Sequence, residues 1–389
     1  MLSYSKIQKK ISRVKSKLNK DQRNLHQIDI SRNFLLKNFG FKKTNNELSE
    51  NGLKRIFNFA NLIKKAAHKE RKKDMWNLIT SDQDHLDLFE ACLSSNKKKF
   101  LNLISSAGKT KLVYGYLNRF SYSDLNKNED YKVKESMHVI DSLVSFSEFS
   151  KKIKVFCPEQ GGWVVENLNY LSLLKKNFVH HKKEIKPFVS PNYAYGLRIK
   201  NRFYGVKDIN GLYSAFKINN ILKNYKIDNV SEIGSGLGVV AYYVNKISRI
   251  NYYIYDLPII NILQAYFLML SLGEKKVSLF GEKKFLKNQI MILPYWEIFK
   301  RKETSKTLWF NQDSIPEIDK SLSEKYLKVI MSNKKCLFLS INQESRNFNG
   351  VGTHQHTLGD LMKNKKYKLI HRSRDFLRQG YVEELFNFK

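Results

Sequence analysis

The residues best suited to bind a ligand run from Glu232 to Gly238 and read EIGSGLG, with glycine at every second position of the loop. Glycine lets the backbone turn tightly against a ligand, and a helix predicted over residues 239–246 would offer its first N–H groups there. A run at 252–255 predicts a second strand, which ends in Asp256 about 20 residues beyond the loop, where a carboxylate can hold both hydroxyls of a ribose. Strand, loop, helix, strand and carboxylate in this order predict a site for a ribose-containing ligand.

The glycine spacing argues against a dinucleotide. The G-x-G-x-x-G pattern of dinucleotide sites needs its third glycine at the position of Val239, whereas Gly238 comes one residue earlier. Glu232, two residues before the first glycine, gives the pattern E-x-G-x-G-x-G instead. Dinucleotide binding is therefore disfavoured.

A candidate for proton transfer lies further along the chain. Asp313 follows a strand predicted over residues 308–310, so its carboxylate would lie at the edge of the sheet where such folds form their ligand crevice. A carboxylate there could remove the proton of a bound hydroxyl, which is a poor nucleophile while it keeps that proton. An Asx turn or a helix cap before Ile315 and Pro316 is an almost equally good interpretation of Asp313.

Two histidines offer a second choice. His354 and His356 follow Glu344 and the glycine-containing segment 350–352. Either imidazole could serve as the base, and with Glu344 or Asp313 the pair could bind a divalent ion. An exposed polar loop is the simpler interpretation, so the sequence indicates no metal site and leaves both histidines as second-choice bases or substrate contacts.

The C-terminal half has the pattern of a parallel α/β sheet. Runs of β-forming residues alternate with helical or polar stretches, which is typical of strands connected by helices. Two runs compete for the third position in the sheet, and 290–293 is favoured over 277–280. The predicted strands are 230–233, 252–255, 277–280, 290–293, 308–310, 337–341, 367–372 and 381–388.

The N-terminal half is predicted to be helical. Apolar residues over 7–28 recur at the spacing of a short amphipathic helix, and 53–67 and 86–93 show the same periodicity. Glycines and prolines cluster between Pro158 and Pro191, which marks a loop-rich junction. The sequence therefore predicts a helical region over residues 1–190 and an α/β domain over residues 191–389.

The chain of 389 residues carries a formal net charge of +33. Its basic residues form small clusters from end to end, with no single stripe, and its richness in Lys, Asn, Ile, Phe and Tyr is the usage that an AT-rich genome imposes. Codon bias therefore ranks first as the cause of the charge. Attraction to anionic lipid or to phosphate-bearing substrates ranks second, and nucleic acid ranks third.

Cysteine usage and hydropathy bear on the compartment. Three cysteines, without C-x-x-C spacing, argue against a disulfide framework and a zinc site, as expected in a reducing cytoplasm. The first residues lack the apolar core of a signal peptide, and no apolar run approaches the ~18 residues that a membrane span needs. We expect a cytoplasmic protein, with peripheral contact to the inner, anionic membrane face left open. The oligomeric state is left open as well.

Six segments of the C-terminal half carry a resemblance to a known family. The glycine loop is similar to motif I of class I S-adenosylmethionine-dependent methyltransferases in general. The N-x-D-S segment at Asn311 and the G-Y-x-E-E segment at Gly380 resemble more particularly the sugar O-methyltransferase family of bacterial surface-polysaccharide gene clusters. The resemblance spans residues 190–389 and implies a Rossmann-like α/β fold, mostly parallel with an antiparallel C-terminal strand, after a helical N-terminal region. The six segments are 232–238, 256–258, 293–296, 311–317, 340–342 and 380–385.

The resemblance also implies site residues and a cofactor, S-adenosylmethionine. The glycine loop would let the methionine part approach the backbone, Glu232 would orient its ammonium group or a water, and Asp256 would accept hydrogen bonds from the ribose. Leu257 and Leu293 would lie against the adenosine. The expected cofactor contacts are Glu232, Gly234, Ser235, Gly236, Gly238, Asp256, Leu257 and Leu293, and the expected substrate contacts are Asn311, Ser314, Glu317 and Glu344.

The function that the resemblance implies is O-methylation of a sugar hydroxyl on a surface polysaccharide or its precursor, which could be lipid-linked. Nucleic acid is not the expected partner. Enzymes that methylate exocyclic amines carry a Pro-Pro-aromatic segment where this chain has residues 311–314. Ribose O-methylation of RNA passes that test and stays open as an alternative, and so does a noncatalytic scaffold with a vestigial methyltransferase domain.

Overall fold

The computed structural model describes residues 30–43, 46–67, 79–116, 121–155, 168–282, 287–301, 305–333, 336–344 and 356–388. The amphipathic helix predicted over residues 7–28 lies outside this part of the chain. The helices are α1 (Arg32–Asn38), α2 (Glu50–Ala67), α3 (Gln83–Leu93), α4 (Lys97–Ser105), α5 (Tyr122–Lys127), α6 (Glu129–Phe149), α7 (Tyr170–Asn177), α8 (Val206–Tyr225), α9 (Val239–Ile247), α10 (Pro258–Leu272), α11 (Lys320–Ser332) and α12 (Leu358–Met362).

Strands of the C-terminal half form one sheet, and shorter strands lie before it. Short 3₁₀ turns cover Ala107–Lys109, Lys111–Val113, Glu274–Lys276, Tyr295–Lys300 and Ile315–Glu317. The strands are β1 (Phe39–Phe41), β2 (Val179–His180), β3 (Lys183–Glu184), β4 (Tyr195–Ile199), β5 (Arg202–Tyr204), β6 (Asn229–Ile233), β7 (Asn251–Asp256), β8 (Val277–Leu279), β9 (Ile290–Pro294), β10 (Thr307–Gln312), β11 (Cys336–Gln343), β12 (Lys368–Arg374) and β13 (Tyr381–Asn387).

The main sheet has eight strands in the order β12-β13-β11-β10-β6-β7-β9-β8. The six strands from β11 to β8 in this order run parallel to one another, whereas β13 pairs antiparallel with both β11 and β12. This arrangement confirms the fold class expected from the sequence, a mostly parallel Rossmann-like sheet with an antiparallel C-terminal strand. All eight predicted strands are present, and β9 lies beside β7 as the preference for 290–293 required.

Burial explains why these segments form strands in this order. Every residue of β6 is buried, and so are the first five residues of β10, because helices cover both faces of the central strands. The edge strand β12 is mostly exposed and carries basic residues, which discourage pairing with another chain. The carboxyl ends of β6, β7 and β10 therefore lie together at one edge of a rigid, buried platform.

The N-terminal region packs directly on this sheet domain. Helix α2 lies against α10, and Arg55 on α2 donates to the Val277 carbonyl at the start of β8 over 2.6 Å. Strand β1 pairs antiparallel with β4, across the division predicted at residue 190. One cluster of buried apolar side chains extends from Leu35 to Leu385. The helices predicted over 53–67 and 86–93 are confirmed as α2 and α3, and the division at 190 stays a prediction.

None of the helices in the described part of the chain combines the length and the apolar character that crossing a membrane requires.

Candidate functional site

The glycine loop follows β6 and adopts backbone conformations that other residues avoid. Gly234 has a φ of +68° and Gly236 a φ of +57°, both in the left-handed region. A Cβ atom at Gly234 would lie 2.2 Å from Oγ of Ser314, so only glycine fits there. A Cβ atom at Gly236 would meet no atom within 4 Å, because that residue borders open space. The loop is thus closed on the protein side and open on the other.

The open space is a cavity of about 310 Å³ at the carboxyl edge of the sheet, within the size range of small-molecule sites. One end, the glycine-loop end, is formed by Glu232, Gly234–Gly236, Asp256 and Leu257. The other, the Lys207 end, is formed by Lys207, Asp313, Glu317 and Tyr381. Because β13 runs antiparallel, its first residue, Tyr381, lies at the same edge as the last residues of the parallel strands.

Two buried carboxyl groups lie at the glycine-loop end. Glu232 accepts hydrogen bonds from Oγ of Ser235 at 2.6 Å and from the Tyr252 hydroxyl at 2.8 Å. Asp256 accepts from the Leu257 amide at 2.8 Å and from Nε2 of Gln264 at 2.7 Å. Burial raises the pKa of each carboxyl to about 7, against those hydrogen bonds. A cation bound nearby would stabilise the ionised form of both.

Asn311 and Ser314 fasten the loop after β10 to the glycine loop. Nδ2 of Asn311 donates to the Ile233 carbonyl at 2.8 Å, and Oγ of Ser314 donates to the same oxygen at 3.0 Å. Oδ1 of Asn311 accepts from Nδ2 of Asn342 at 2.9 Å. Ser314 lines the cavity, whereas Asn311 is fully buried and lies behind its wall. Asn311 therefore braces the two loops in this structure, and its predicted contact with substrate stays a prediction.

Asp313 lines the cavity, and its carboxylate is bound by a largely buried arginine. Nη1 of Arg378 lies 2.8 Å from both carboxylate oxygens. The guanidinium in turn stacks 3.8 Å from the ring centre of Tyr381. Asp313 has a φ of +64°, and its amide donates to the Ile341 carbonyl at 3.2 Å. The alternative of a capping residue fits less well, because the side chain is directed at Arg378.

Some other predicted site residues do not line the cavity that the described residues form. Leu293 packs in a separate apolar cluster, and Glu344 forms an exposed ion pair with Arg372. His356 is 2% exposed, and its burial lowers the pKa of the imidazole. His354 lies outside the described residues. The described residues include no group of three or more His, Cys, Asp or Glu side chains that could hold a metal ion.

Several residues that line the cavity could not be predicted from the sequence. Lys207 comes from the start of α8, and Asn210 from the next turn. The segment Leu112–Tyr116 reaches the cavity from the N-terminal region. No local motif marks these residues, because they reach the cavity only through tertiary packing. A weak signal existed for Tyr295, an aromatic residue directly after a predicted strand, and it does line the cavity.

No family model matches the chain, and no curated protein matches it. Among solved structures, the magnesium protoporphyrin IX methyltransferase of Synechocystis, with bound SAH, is 8% identical over 47% of this chain and 87% of its own, with a TM-score of 0.34. The N,N-8-amino-8-demethyl-D-riboflavin dimethyltransferase of Streptomyces davawensis is 10% identical over 47% of this chain and 58% of its own, also at 0.34. A bacterial methyltransferase domain is 10% identical over 45% of this chain and 97% of its own, at 0.32. Similarity at this level identifies no family.

Proposed function

We propose that this protein is an S-adenosylmethionine-dependent O-methyltransferase. The observation that carries the proposal is the cavity whose wall joins the left-handed glycine loop after β6 to the Asp256 carboxylate at the end of β7. Adjacent strand ends of an α/β sheet hold nucleoside-containing ligands in this way. When bound, S-adenosylmethionine supplies a methyl group on a positively charged sulfur. The protein itself binds and orients the donor and the acceptor, and removes a proton from the acceptor.

The glycine-loop end fits this donor in shape and charge. Gly236 leaves room for the methionine part, and Asp256 lies where ribose hydroxyls could donate to it. Leu257 and Ile260 add apolar wall for an adenine ring. Oδ1 of Asn210 is buried at the cavity wall with no hydrogen-bond partner among the described residues. An unpaired buried oxygen is costly, so a donor group on a bound ligand would stabilise it.

The Lys207 end is proposed to hold the acceptor. Methyl transfer needs the accepting oxygen held close to the methyl carbon, and a rigid wall achieves this by restricting its position. Asp313 and Glu317 line that wall beside Tyr381, and Ser314 lines the cavity next to the glycine loop. Asp313 as the base stays a prediction, and so do the proposed contacts of Ser314 and Glu317 with the acceptor.

A sugar hydroxyl is the proposed acceptor. The N-x-D-S and G-Y-x-E-E segments that resemble the sugar O-methyltransferase family place Asp313 and Tyr381 at this end of the cavity. Several tyrosines share the wall, and an aromatic ring with a hydroxyl can pack on a sugar and hydrogen-bond to it. A lipid-linked precursor at the anionic inner membrane face would give the net charge of +33 a use, since anionic lipid attracts Lys and Arg.

Calorimetry with S-adenosylmethionine tests the donor. We expect binding by the purified protein and at least a tenfold loss of affinity in Asp256→Ala, since the variant lacks the acceptor for the ribose hydroxyls. Asp130→Ala is the matched control, because Asp130 is 70% exposed on α6. Failure of the wild-type chain to bind would favour the scaffold alternative, and equal affinity of Asp256→Ala would contradict the proposed site.

The acceptor needs a separate experiment. Mass spectrometry of surface glycans from parent and deletion strains should show O-methyl groups that the deletion strain lacks. Unchanged O-methyl content would contradict the sugar assignment. Salt-dependent RNA binding, followed by methylation of ribose in the bound RNA, would favour the alternative enzyme.

A further inference from the structure

Lys207 is the cationic side chain that the start of α8 places in the cavity, and the proposed function so far gives it no role. The backbone position of Lys207 is fixed by the next residue. Asp208 accepts hydrogen bonds from the Gly205 amide at 2.8 Å, the Phe188 amide at 3.0 Å and the Tyr243 hydroxyl at 2.6 Å. These bonds hold the first turn of α8 to the connecting segment and to α9. The backbone that carries Lys207 is therefore rigid.

We propose that Lys207 accepts the proton of the acceptor hydroxyl, an inference that rests on the proposed function. The Nζ lone pair takes the proton, and the oxygen keeps the electron pair of its O–H bond. With that pair the oxygen bonds to the methyl carbon, and the pair of the breaking C–S bond stays on sulfur. One positive charge leaves the sulfur and one appears on Lys207, so the charge within the cavity is unchanged.

Two other candidates at this end, Asp313 and Tyr381, are poorly suited to the task. Both oxygens of Asp313 are bound by Arg378, and a proton on that carboxyl would leave a buried guanidinium partly unpaired. Burial and the nearby Asp313 charge raise the pKa of Tyr381 to about 12, so its phenol keeps its proton. No histidine lines the cavity among the residues that the structure describes.

The surroundings of Lys207 favour its neutral form more than water does. Burial is the main effect and lowers the pKa of the amine, and Arg378 lowers it further. Asp313 and Glu317 from the loop after β10, and Glu135 from α6, act in the opposite direction. A sulfonium bound in the same cavity would add a second positive charge and favour loss of the proton. Donor binding would therefore prepare Lys207 to act as the base.

Proton release on donor binding tests this inference without any turnover. Calorimetry in two buffers with different ionisation enthalpies, between pH 7 and 10, counts the protons released by S-adenosylmethionine and by S-adenosylhomocysteine, which lacks the sulfonium charge. We expect extra release with the sulfonium at pH 9, where Glu232 and Asp256, with pKa values of about 7, are already ionised. Lys207→Met should abolish the extra release, and so should Lys207→Arg, whose guanidinium keeps its proton.

Lys223→Met is the matched control, because Lys223 lies on the same helix but is exposed. Retained binding of S-adenosylhomocysteine shows that each variant is folded. Extra release that persists in Lys207→Met would overturn the inference while leaving the donor in place. Absence of any donor binding by the wild-type chain would overturn the donor itself, and the role of Lys207 with it.

The transfer step gives a second readout. With glycan extracted from the deletion strain as acceptor, Lys207→Met should slow single-turnover transfer by at least ~100-fold, the usual contribution of a general base. Asp313→Asn should change the rate less than Lys207→Met does. The reverse order would assign the proton to Asp313 and overturn the inference.

Discussion

The two ends of the cavity are built in different ways. The glycine-loop end comes mainly from one continuous stretch between Glu232 and Leu257. Backbone geometry and hydrogen bonds within that stretch hold it, together with bonds from Gln264, Asn311 and Ser314. The Lys207 end brings together the start of α8, the loop after β10 and the start of β13. It depends on the ion pair between Asp313 and Arg378. Local sequence therefore determines most of the glycine-loop end, whereas the Lys207 end forms only when distant elements of the chain come together.

This difference agrees with the two separate tasks of the proposed reaction, which are to bind the donor and to bind the acceptor. A donor that is always the same can be served by one fixed loop. An acceptor that differs between enzymes needs a wall that can change residue by residue, and separate elements allow this. We therefore expect substitutions at the glycine-loop end to affect donor binding and those at the Lys207 end to affect the acceptor.

The largest effect should follow Gly234→Val. The valine would have to adopt a φ of +68°, and its Cβ atom would lie 2.2 Å from Oγ of Ser314. Left-handed strain and overpacking together should lower the free energy of unfolding by about 3 kcal/mol, and donor affinity should be lost. Urea unfolding and calorimetry measure both. Gly380→Ala, with a φ of +78° and no neighbour within 4 Å, carries strain without the clash. A decrease in the free energy of unfolding no greater than that of Gly380→Ala would contradict the close packing of Gly234 against Ser314.

At the Lys207 end, Arg378→Met should lower the free energy of unfolding by about 2 kcal/mol, less than for a fully buried pair because water reaches part of Asp313. The Arg378 side chain is 12% exposed and that of Asp313 is 32% exposed. Binding of S-adenosylhomocysteine should change little. Arg32→Met removes exposed pairs with Glu129 and Asp130 and should cost clearly less. If the Arg378 variant instead lost affinity for S-adenosylhomocysteine, the two ends would not be independent.

Donor affinity should depend on pH through the glycine-loop end. Glu232 and Asp256 have pKa values of about 7 because of burial, so each carries a proton part of the time near neutral pH. A cationic donor prefers the ionised forms. The contribution of these two carboxyls to affinity should therefore rise with pH through 7 and be complete above 8, with roughly a tenfold gain from pH 6 to pH 8. The proton that Lys207 releases should add a further, shallower rise near pH 9. Calorimetry across this range measures it. Glu232→Gln should reduce the slope, and a slope unchanged by that variant would exclude Glu232 as its source.

The same difference sets how much could be predicted from sequence. Strand patterns and the glycine loop are local, so the eight strands, their core and the glycine-loop end could be predicted. Asp313 could be placed at the edge because it follows a strand. Arg378 as its partner could not, since the two are far apart in the chain. The burial of Asn311 and the distance of Glu344 from the cavity also depend on tertiary packing.

The smallest effect should come from the N-terminal region. Tyr114 lines the cavity and is 50% exposed, so its ring can contact a bound acceptor without supporting the core. Tyr114→Ala should raise the KM for the glycan acceptor about two- to fivefold, as expected for the loss of one partly exposed aromatic contact, with kcat and donor affinity unchanged. Leu86→Ala, at a residue 49% exposed on α3, is the matched control. Equal KM values for the two variants would mean that the N-terminal region covers the cavity without helping to select what enters it.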